Sequence, residues 1–319
     1  MSILDNTKFM FAVCEMFYMQ GLSQKEIAGK LNISRPQISR IIANAKENNL
    51  VSIHLNYENP EENHYQQLIK DRFNVPQVYV YDIGDSSKED AIQRLAESSK
   101  DLFDVVIKNN EKVGVMAGRT ISALSSAIGN SKNRGLEFVA LCGDSFSDGE
   151  DWNVNSIVQK FASKTHGKSY TFSAPRYLNS AATKSLLLGE PSIMRILELG
   201  KQCDVALLGI GNIELDSTGI VAGNLSNSDL NKLREDGAVA NICSSYIDKE
   251  GNVIPSHLEN KILGQSILDI ISMRKVGIAV GKEKTEAIKA VLKGAFLDTF
   301  ITSLDTAIHL LGNEKYKGD

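Results

Sequence analysis

Arg35, Gln37, Arg40 and Asn44 crowd into ten residues of the chain. Arginine pairs bidentately with guanine edges, and glutamine and asparagine pair with adenine edges. Ser34, immediately before them, adds a hydroxyl. The chemistry these side chains offer is the reading of base edges in double-stranded DNA.

Residues 23–42, SQKEIAGKLNISRPQISRII, contain the elements that must carry them. Ser23 and Glu26 form a Ser-x-x-Glu capping box, which predicts a helix starting at Ser23. Ser34 and Gln37 form a Ser-x-x-Gln box, which predicts a second helix from Ser34 to about Asn48, with Asn49 as its C-cap. Pro36 sits in the first turn, where a missing N–H costs nothing. Asn32 suits the left-handed conformation of a tight turn. Ile27, Leu31, Ile33, Ile38 and Ile41 stand where two crossed helices bury side chains, and Ala28 is small where they approach. Arg35, Gln37, Arg40 and Asn44 are then left on the open face of a recognition helix. An amphipathic helix over 7–20, with Phe9, Val13, Met16 and Phe17 at helical spacing, completes a three-helix core. Val51, Ile53 and Leu55 alternate with polar residues as a short strand or wing. The bland alternative is a helical hairpin with a polar outer face.

The length of 319 residues suggests two domains. We expect a helix-turn-helix domain at 1–56, a linker at 57–64 around Pro60, and a larger domain at 65–319. The net charge of −4 is unevenly divided. Residues 1–56 carry a net +2 and the remainder a net −6. Positive charge therefore collects where the motif lies. Four scattered cysteines, no signal peptide and no apolar run long enough to span a bilayer suit a cytoplasmic protein with no membrane partner.

From Tyr65 onward, short β-rich runs alternate with helical stretches: 78–81, 113–116, 138–141, 205–211 and 276–281 as strands. The alternation predicts an α/β domain with a mostly parallel sheet. Such sheets bind ligands where strand ends meet helices. Gly118, Arg119, Thr120 and Ser122 form a candidate phosphate cradle at one such turn. A plain strand-to-helix turn capped by Thr120 reads equally well. Gly143 and Asp144 follow the third strand; Asp144 is either a sugar-hydroxyl acceptor or a loop cap. Gly211 lets a ligand approach the backbone. Asp248 lies in YIDKEGN, which also reads as a β-turn. Lys284 opens a helix after Val280-Gly281.

No catalytic set emerges. The five histidines are widely separated, and no Walker loop, serine elbow, metal-spaced cluster or cofactor motif is present, so no cofactor is expected. An enzymatic alternative, a sugar-phosphate isomerase or deaminase with an appended DNA-binding domain, would need Asp144, Asp148 or Asp248 as acid and base. A third reading gives the large domain only an assembly role.

Nearly the whole chain resembles the sorbose-operon regulator (SorC-type) family of bacterial transcription factors. The likeness rests on residues 22–55, VGVMAGRTISAL at 113–124, VALLGIGNI at 205–213, ICSSYIDKEGNVI at 242–254 and residues 277–311. It implies an operator-binding N-terminal domain and a sugar- or sugar-phosphate-binding domain resembling sugar-phosphate isomerases and deaminases. It also implies a homodimer or homotetramer. Carried over, Gly118–Ser122 matches the phosphate loop, Asp248 an effector-contacting aspartate and Lys284 a ligand-contacting lysine. Members that read deoxyribose phosphate carry an imine-forming lysine where this chain has Cys142, which excludes a covalent imine there.

Overall fold

The computed structural model describes residues 7–47, 50–51, 59–144, 152–214, 225–312 and 316. The chain divides into two compact units, Met1–Glu58 and Asn59–Asp319.

In the first unit, helix α1 (Thr7–Cys14) runs on into a π-helical turn, Glu15–Met19. The helix expected over 7–20 is thus present, with its last turn widened. Helices α2 (Gln24–Leu31) and α3 (Arg35–Glu47) follow. Asn32 between them adopts the left-handed conformation, φ 52° and ψ 43°. Met10, Val13, Ile27, Ile38, Ile41 and Ile42 make the core, with Leu31 and Ile33 half-buried beside it. The expected C-cap at Asn49 and the wing strand beyond Val51 lie outside the described residues.

The expected linker at 57–64 is corrected from Asn59 onward. Helix α4 (Pro60–Phe73) begins there: Asn59 Oδ1 accepts from the Glu61 N–H at 3.0 Å, and Pro60 occupies the first turn. Tyr65 and Ile69 bury themselves in the core of the second unit. The polar run after Pro60 hides a helix whose apolar face begins only at Tyr65.

The second unit is built on a parallel sheet. Its strands are β1 (Gln77–Tyr81), β2 (Lys112–Val115), β3 (Glu137–Ala140), β4 (Lys168–Tyr170), β5 (Val205–Asn212), β9 (Arg274–Ile278) and β10 (Thr299–Ser303). Their spatial order is β1-β10-β9-β5-β2-β3-β4. The far half of β5 pairs antiparallel with β6 (Ala240–Ile242), which continues through β7 (Ser245–Ile247) to β8 (Val253–Ile254). The antiparallel ribbon, with its strands of two and three residues, was not foreseen.

Helices α5 (Lys88–Ser99), α6 (Phe103–Val106), α7 (Arg119–Ala127), α8 (Val154–Thr165), α9 (Ala181–Leu188) and α10 (Pro191–Lys201) come next in the chain. They are followed by α11 (Asn227–Glu235), α12 (Thr285–Lys293) and α13 (Leu304–Leu310). The inner strands β2, β3, β5 and β9 are buried along most of their length because both faces of a parallel sheet are covered. Phe103, Phe138 and Phe161 stack beneath it, with centroids 5.3 to 6.5 Å apart. Burying each ring contributes roughly 1.5–3 kcal/mol.

The strand order turns around at β2. The chain runs from β2 outward to β3 and β4, then returns to place β5 on the other side of β2. The helices after β2 and β5 diverge at such a point and leave a crevice over the strand ends.

Candidate functional site

Two sites follow, one in each unit. On α3, Arg35, Gln37 and Arg40 are exposed and Asn44 is half-buried. The capping box at α2 is complete: the Ser23 hydroxyl accepts from the Glu26 N–H, and the Glu26 carboxylate accepts from the Ser23 N–H at 2.8 Å. Those Ser23 bonds, the hydroxyl first, hold the Glu26 carboxyl below its ordinary value. At α3 the pattern differs. Gln37 Oε1 accepts from both the Ser34 N–H and the Ser34 hydroxyl, while the Gln37 N–H bonds to the Ser34 carbonyl. Ser34 and Gln37 therefore close the start of the recognition helix, and Arg35 and Arg40 project from it with their charge exposed.

In the second unit a cleft opens over the carboxyl ends of β2 and β5. It gives about 110 Å³ to the centres of water-sized groups. Roughly 10–15 Å³ holds one water, so a small polyhydroxylated molecule has room. Ala117, Gly118, Arg119 and Thr120 supply one wall, and residues 209–213 supply the floor. Gly118 caps α7 without any side-chain bond, so N–H groups of the first turn face the cleft beside the positive end of the helix. A Cβ at Gly118 or Gly209 would meet nothing within 4 Å, so both present bare backbone to a ligand. Lys284 enters at the end of the 3-10 turn Lys282–Lys284. Trp152, Tyr177 and Tyr246 add aromatic surface.

Of the predicted effector residues, Gly118, Arg119, Thr120, Gly211 and Lys284 line this cleft. Ser122 does not; its carbonyl accepts from the Ser125 and Ser126 hydroxyls within α7. Gly143 is buried where a Cβ would meet the Pro175 backbone at 2.6 Å, so it serves a close crossing of chains. Asp144 bridges to the same segment: its N–H bonds to the Ala174 carbonyl, its carbonyl accepts from Arg176, and its carboxylate accepts from Asn155 at 2.9 Å. Asp248 stands apart, its carboxylate accepting from the backbone of Glu250 and Asn252 and from the Asn252 side chain. That turn reading, present in the sequence, is the one its hydrogen bonds express. Cys142 is fully buried outside the lining, and burial pushes its thiol up.

Sequence reasoning missed Arg176, Tyr177 and Tyr246. Arg176 is 9% exposed and donates from Nη2 to the Cys243 carbonyl at 3.0 Å. Its guanidinium lies over the Tyr177 ring, 5.3 Å from the centroid. The signal was available: a lone arginine in the apolar-flanked SAPRYL segment of an α/β domain.

The described lining holds four basic residues, Lys88, Arg119, Arg176 and Lys284, and no Asp or Glu. Lys88 is matched from outside the lining by Glu283 at 3.5 Å. Among the described residues no cluster of His, Cys, Asp and Glu could hold a metal ion.

Residues 57–312 match the sequence family described as "Putative sugar-binding domain". The chain belongs to this sugar-binding family. Its similarity to individual regulators extends over both units. The transcriptional regulator YjhU of Escherichia coli K12 is 27% identical over 305 residues, covering 94% of this chain and 93% of that protein. The sorbitol operon regulator of Klebsiella pneumoniae is 25% identical, covering 96% and 98%. The deoxyribonucleoside regulator of Bacillus subtilis is 24% identical, covering 93% and 95%. The crystal structure of full-length SorC from Klebsiella pneumoniae shares the fold, with a TM-score of 0.80 at 22% identity over 96% of this chain and 99% of that one. The relatives that it resembles over both units carry the names of transcriptional regulators.

Proposed function

We propose that the chain controls a carbohydrate-utilisation operon by binding operator DNA through α3 and an anionic sugar, a sugar phosphate foremost, in the cleft of its second unit. The observation that carries the effector reading is the charge of the cleft: four cations and no carboxylate among the described lining residues. A neutral sugar is ordinarily gripped by acceptors as well as donors, and this lining is rich in donors. Phosphate suits the uncapped start of α7 with Arg119 and Lys284 near it. Binding is non-covalent at Cys142, whose thiol is buried and protonated. The isomerase or deaminase alternative draws no support from Asp144 or Asp248, which lie outside the described lining, and Asp148 falls outside the described residues.

On α3 the base-reading roles fall to Arg35 and Arg40, with Gln37 and Ser34 holding the helix start and Asn44 further along. Dimers or tetramers fit a palindromic operator, whose half-sites then lie whole turns of roughly 10–10.5 bp apart. No described helix is long and apolar enough to cross a membrane.

The test is a thermal-shift screen of sugars, polyols and their phosphates, followed by operator binding with each hit. Sugar phosphates should raise the melting temperature and change operator affinity, and Lys284→Met should blunt both effects while leaving ligand-free operator binding intact. If only uncharged sugars stabilise the protein, or if Lys284→Met responds as wild type, the anionic-sugar assignment is wrong.

A further inference from the structure

Arg176 poses a problem that the fold does not solve internally. Its guanidinium is more than nine-tenths buried, yet it cannot shed its proton. Nη2 bonds to the Cys243 carbonyl, and one face covers Tyr177, but Nε is buried with no hydrogen-bond partner. The groups that face it electrostatically are Tyr177, Cys142, Tyr246 and Cys243, none of them a carboxylate. A buried, unneutralised charge with an orphaned N–H is costly, and a folded protein rarely keeps one without use. The Tyr246 hydroxyl, on the same lining, is likewise buried, with the Tyr177 phenol beside it but outside good hydrogen-bond geometry.

We propose that Arg176 and Tyr246 form a second anion subsite of the cleft, separate in the chain from the α7 turn, which seats an oxyanion of the effector on the Nε edge of Arg176. The inference rests on the sugar-effector reading and extends it: the ligand carries two acid groups, one for the α7 turn with Lys284 and one for Arg176. A sugar bisphosphate and a phosphorylated sugar acid share that chemistry. Arginine's planar fork suits either oxyanion, since both offer paired oxygens.

Two measurements on the full-length protein test the subsite. In the first, wild type, Arg176→Met, Arg176→Lys and Lys284→Met are melted in rising inorganic phosphate or malonate at constant ionic strength. Ligand-free Arg176→Met should melt no lower than wild type, because an uncompensated charge has gone, and it should lose most of the anion-dependent rise. Arg176→Lys keeps the charge but not the fork and should retain only part of that rise, which guards against misfolding of the methionine variant. Lys284→Met should keep the part that depends on Arg176. In the second, Kd is measured for glucose 6-phosphate, 6-phosphogluconate and fructose 1,6-bisphosphate.

Arg176→Met should weaken the doubly acidic ligands about 10- to 100-fold and glucose 6-phosphate far less, the range expected for one lost charge-assisted contact. Preference for 6-phosphogluconate assigns a carboxylate to the subsite, and preference for the bisphosphate assigns a phosphate. Anion-dependent melting that is absent in wild type, or identical in wild type and Arg176→Met, overturns the proposal. If sugar phosphates stabilise wild type while every Arg176 variant matches it, the subsite falls and the sugar-effector reading stands. If phosphate or malonate acts through Arg176 and no sugar phosphate binds, the subsite stands and the effector reading falls.

Discussion

The Gln37 side-chain oxygen is shared by two donors of Ser34, the backbone N–H at 3.0 Å and the hydroxyl at 2.9 Å. Recognition of adenine by glutamine uses the amide oxygen and nitrogen together. With its oxygen committed to the start of α3, Gln37 keeps only its amide NH2 donor for DNA, whereas Arg40 is exposed with its whole fork. Arg40→Ala should therefore lower specific operator affinity by about 1–3 kcal/mol, lower affinity for random DNA less, and leave melting unchanged. Gln37→Ala should in addition destabilise the fold by about 0.5–2 kcal/mol, as a lost cap does. Gel-shift and thermal unfolding measurements distinguish the two. Equal losses on operator and random DNA for Arg40→Ala would reduce it to a phosphate contact.

The capping box of α2 carries a pH dependence of known sign. The Glu26 carboxyl sits below the ordinary glutamate value because the ionised form accepts from Ser23. The stabilisation is complete above the unfolded value and is lost as pH falls through the lower, folded one. Acid unfolding of wild type should accordingly be steeper than that of Ser23→Ala below about pH 4.5. Parallel profiles would mean that the box contributes no pH-linked stability.

Asp248 supports a turn. Its three accepted bonds, at 3.0, 2.8 and 3.0 Å, hold residues 248–252 together, and they lower its carboxyl's pKa, the Asn252 side chain first. Asp248→Ala should lower the melting temperature and leave effector affinity within about twofold, the scatter of a substitution that loses no ligand contact. A large affinity loss with unchanged melting would restore the effector role that the family resemblance implied.

The start of α4 decides where the second unit can be cut. A 59–319 fragment keeps the Asn59 cap and the Glu62 carboxylate that accepts from the Asp82 N–H at 2.6 Å. A 65–319 fragment loses both and should be less stable by at least about 1 kcal/mol, the usual cost of a cap alone. Both should oligomerise, which sedimentation equilibrium reads directly. A monomeric 59–319 fragment would place the assembly contacts in the first unit.

Tyr246→Phe removes a hydroxyl that is buried beside the Tyr177 phenol, outside good hydrogen-bond geometry. Burial pushes this phenol up, so it acts only as a neutral donor or acceptor. The variant should be as stable as wild type or more so, by up to about 1–3 kcal/mol, yet bind the effector more weakly. Loss of stability without ligand would show that the hydroxyl has a structural partner.

Local patterns disclosed the described helices of the first unit. Two capping signatures, a left-handed Asn32 and the buried isoleucines each depend on neighbours within four residues, and such rules can be read from a single strand of text. Five of the seven parallel strands were legible as apolar runs, as was the turn after β2, where Gly118 to Thr120 lie together in the chain; β4 (Lys168–Tyr170) and β10 (Thr299–Ser303), short and rich in Lys, Ser and Thr, were not. The helix at Pro60 was missed because its apolar contacts, Tyr65 and Ile69, become meaningful only against the sheet.

What tertiary structure alone decided was membership of the cleft. Arg176 and Tyr246 are far from the α7 turn in sequence and meet in one lining because the strand order reverses at β2. Asp144 and Asp248, equally plausible by residue type, spend their oxygens on nearby turns and crossings instead. Burial and hydrogen-bond supply are properties of the assembled chain. A sequence can nominate a charged side chain, but only packing determines whether its partners lie within the protein or must arrive with a ligand.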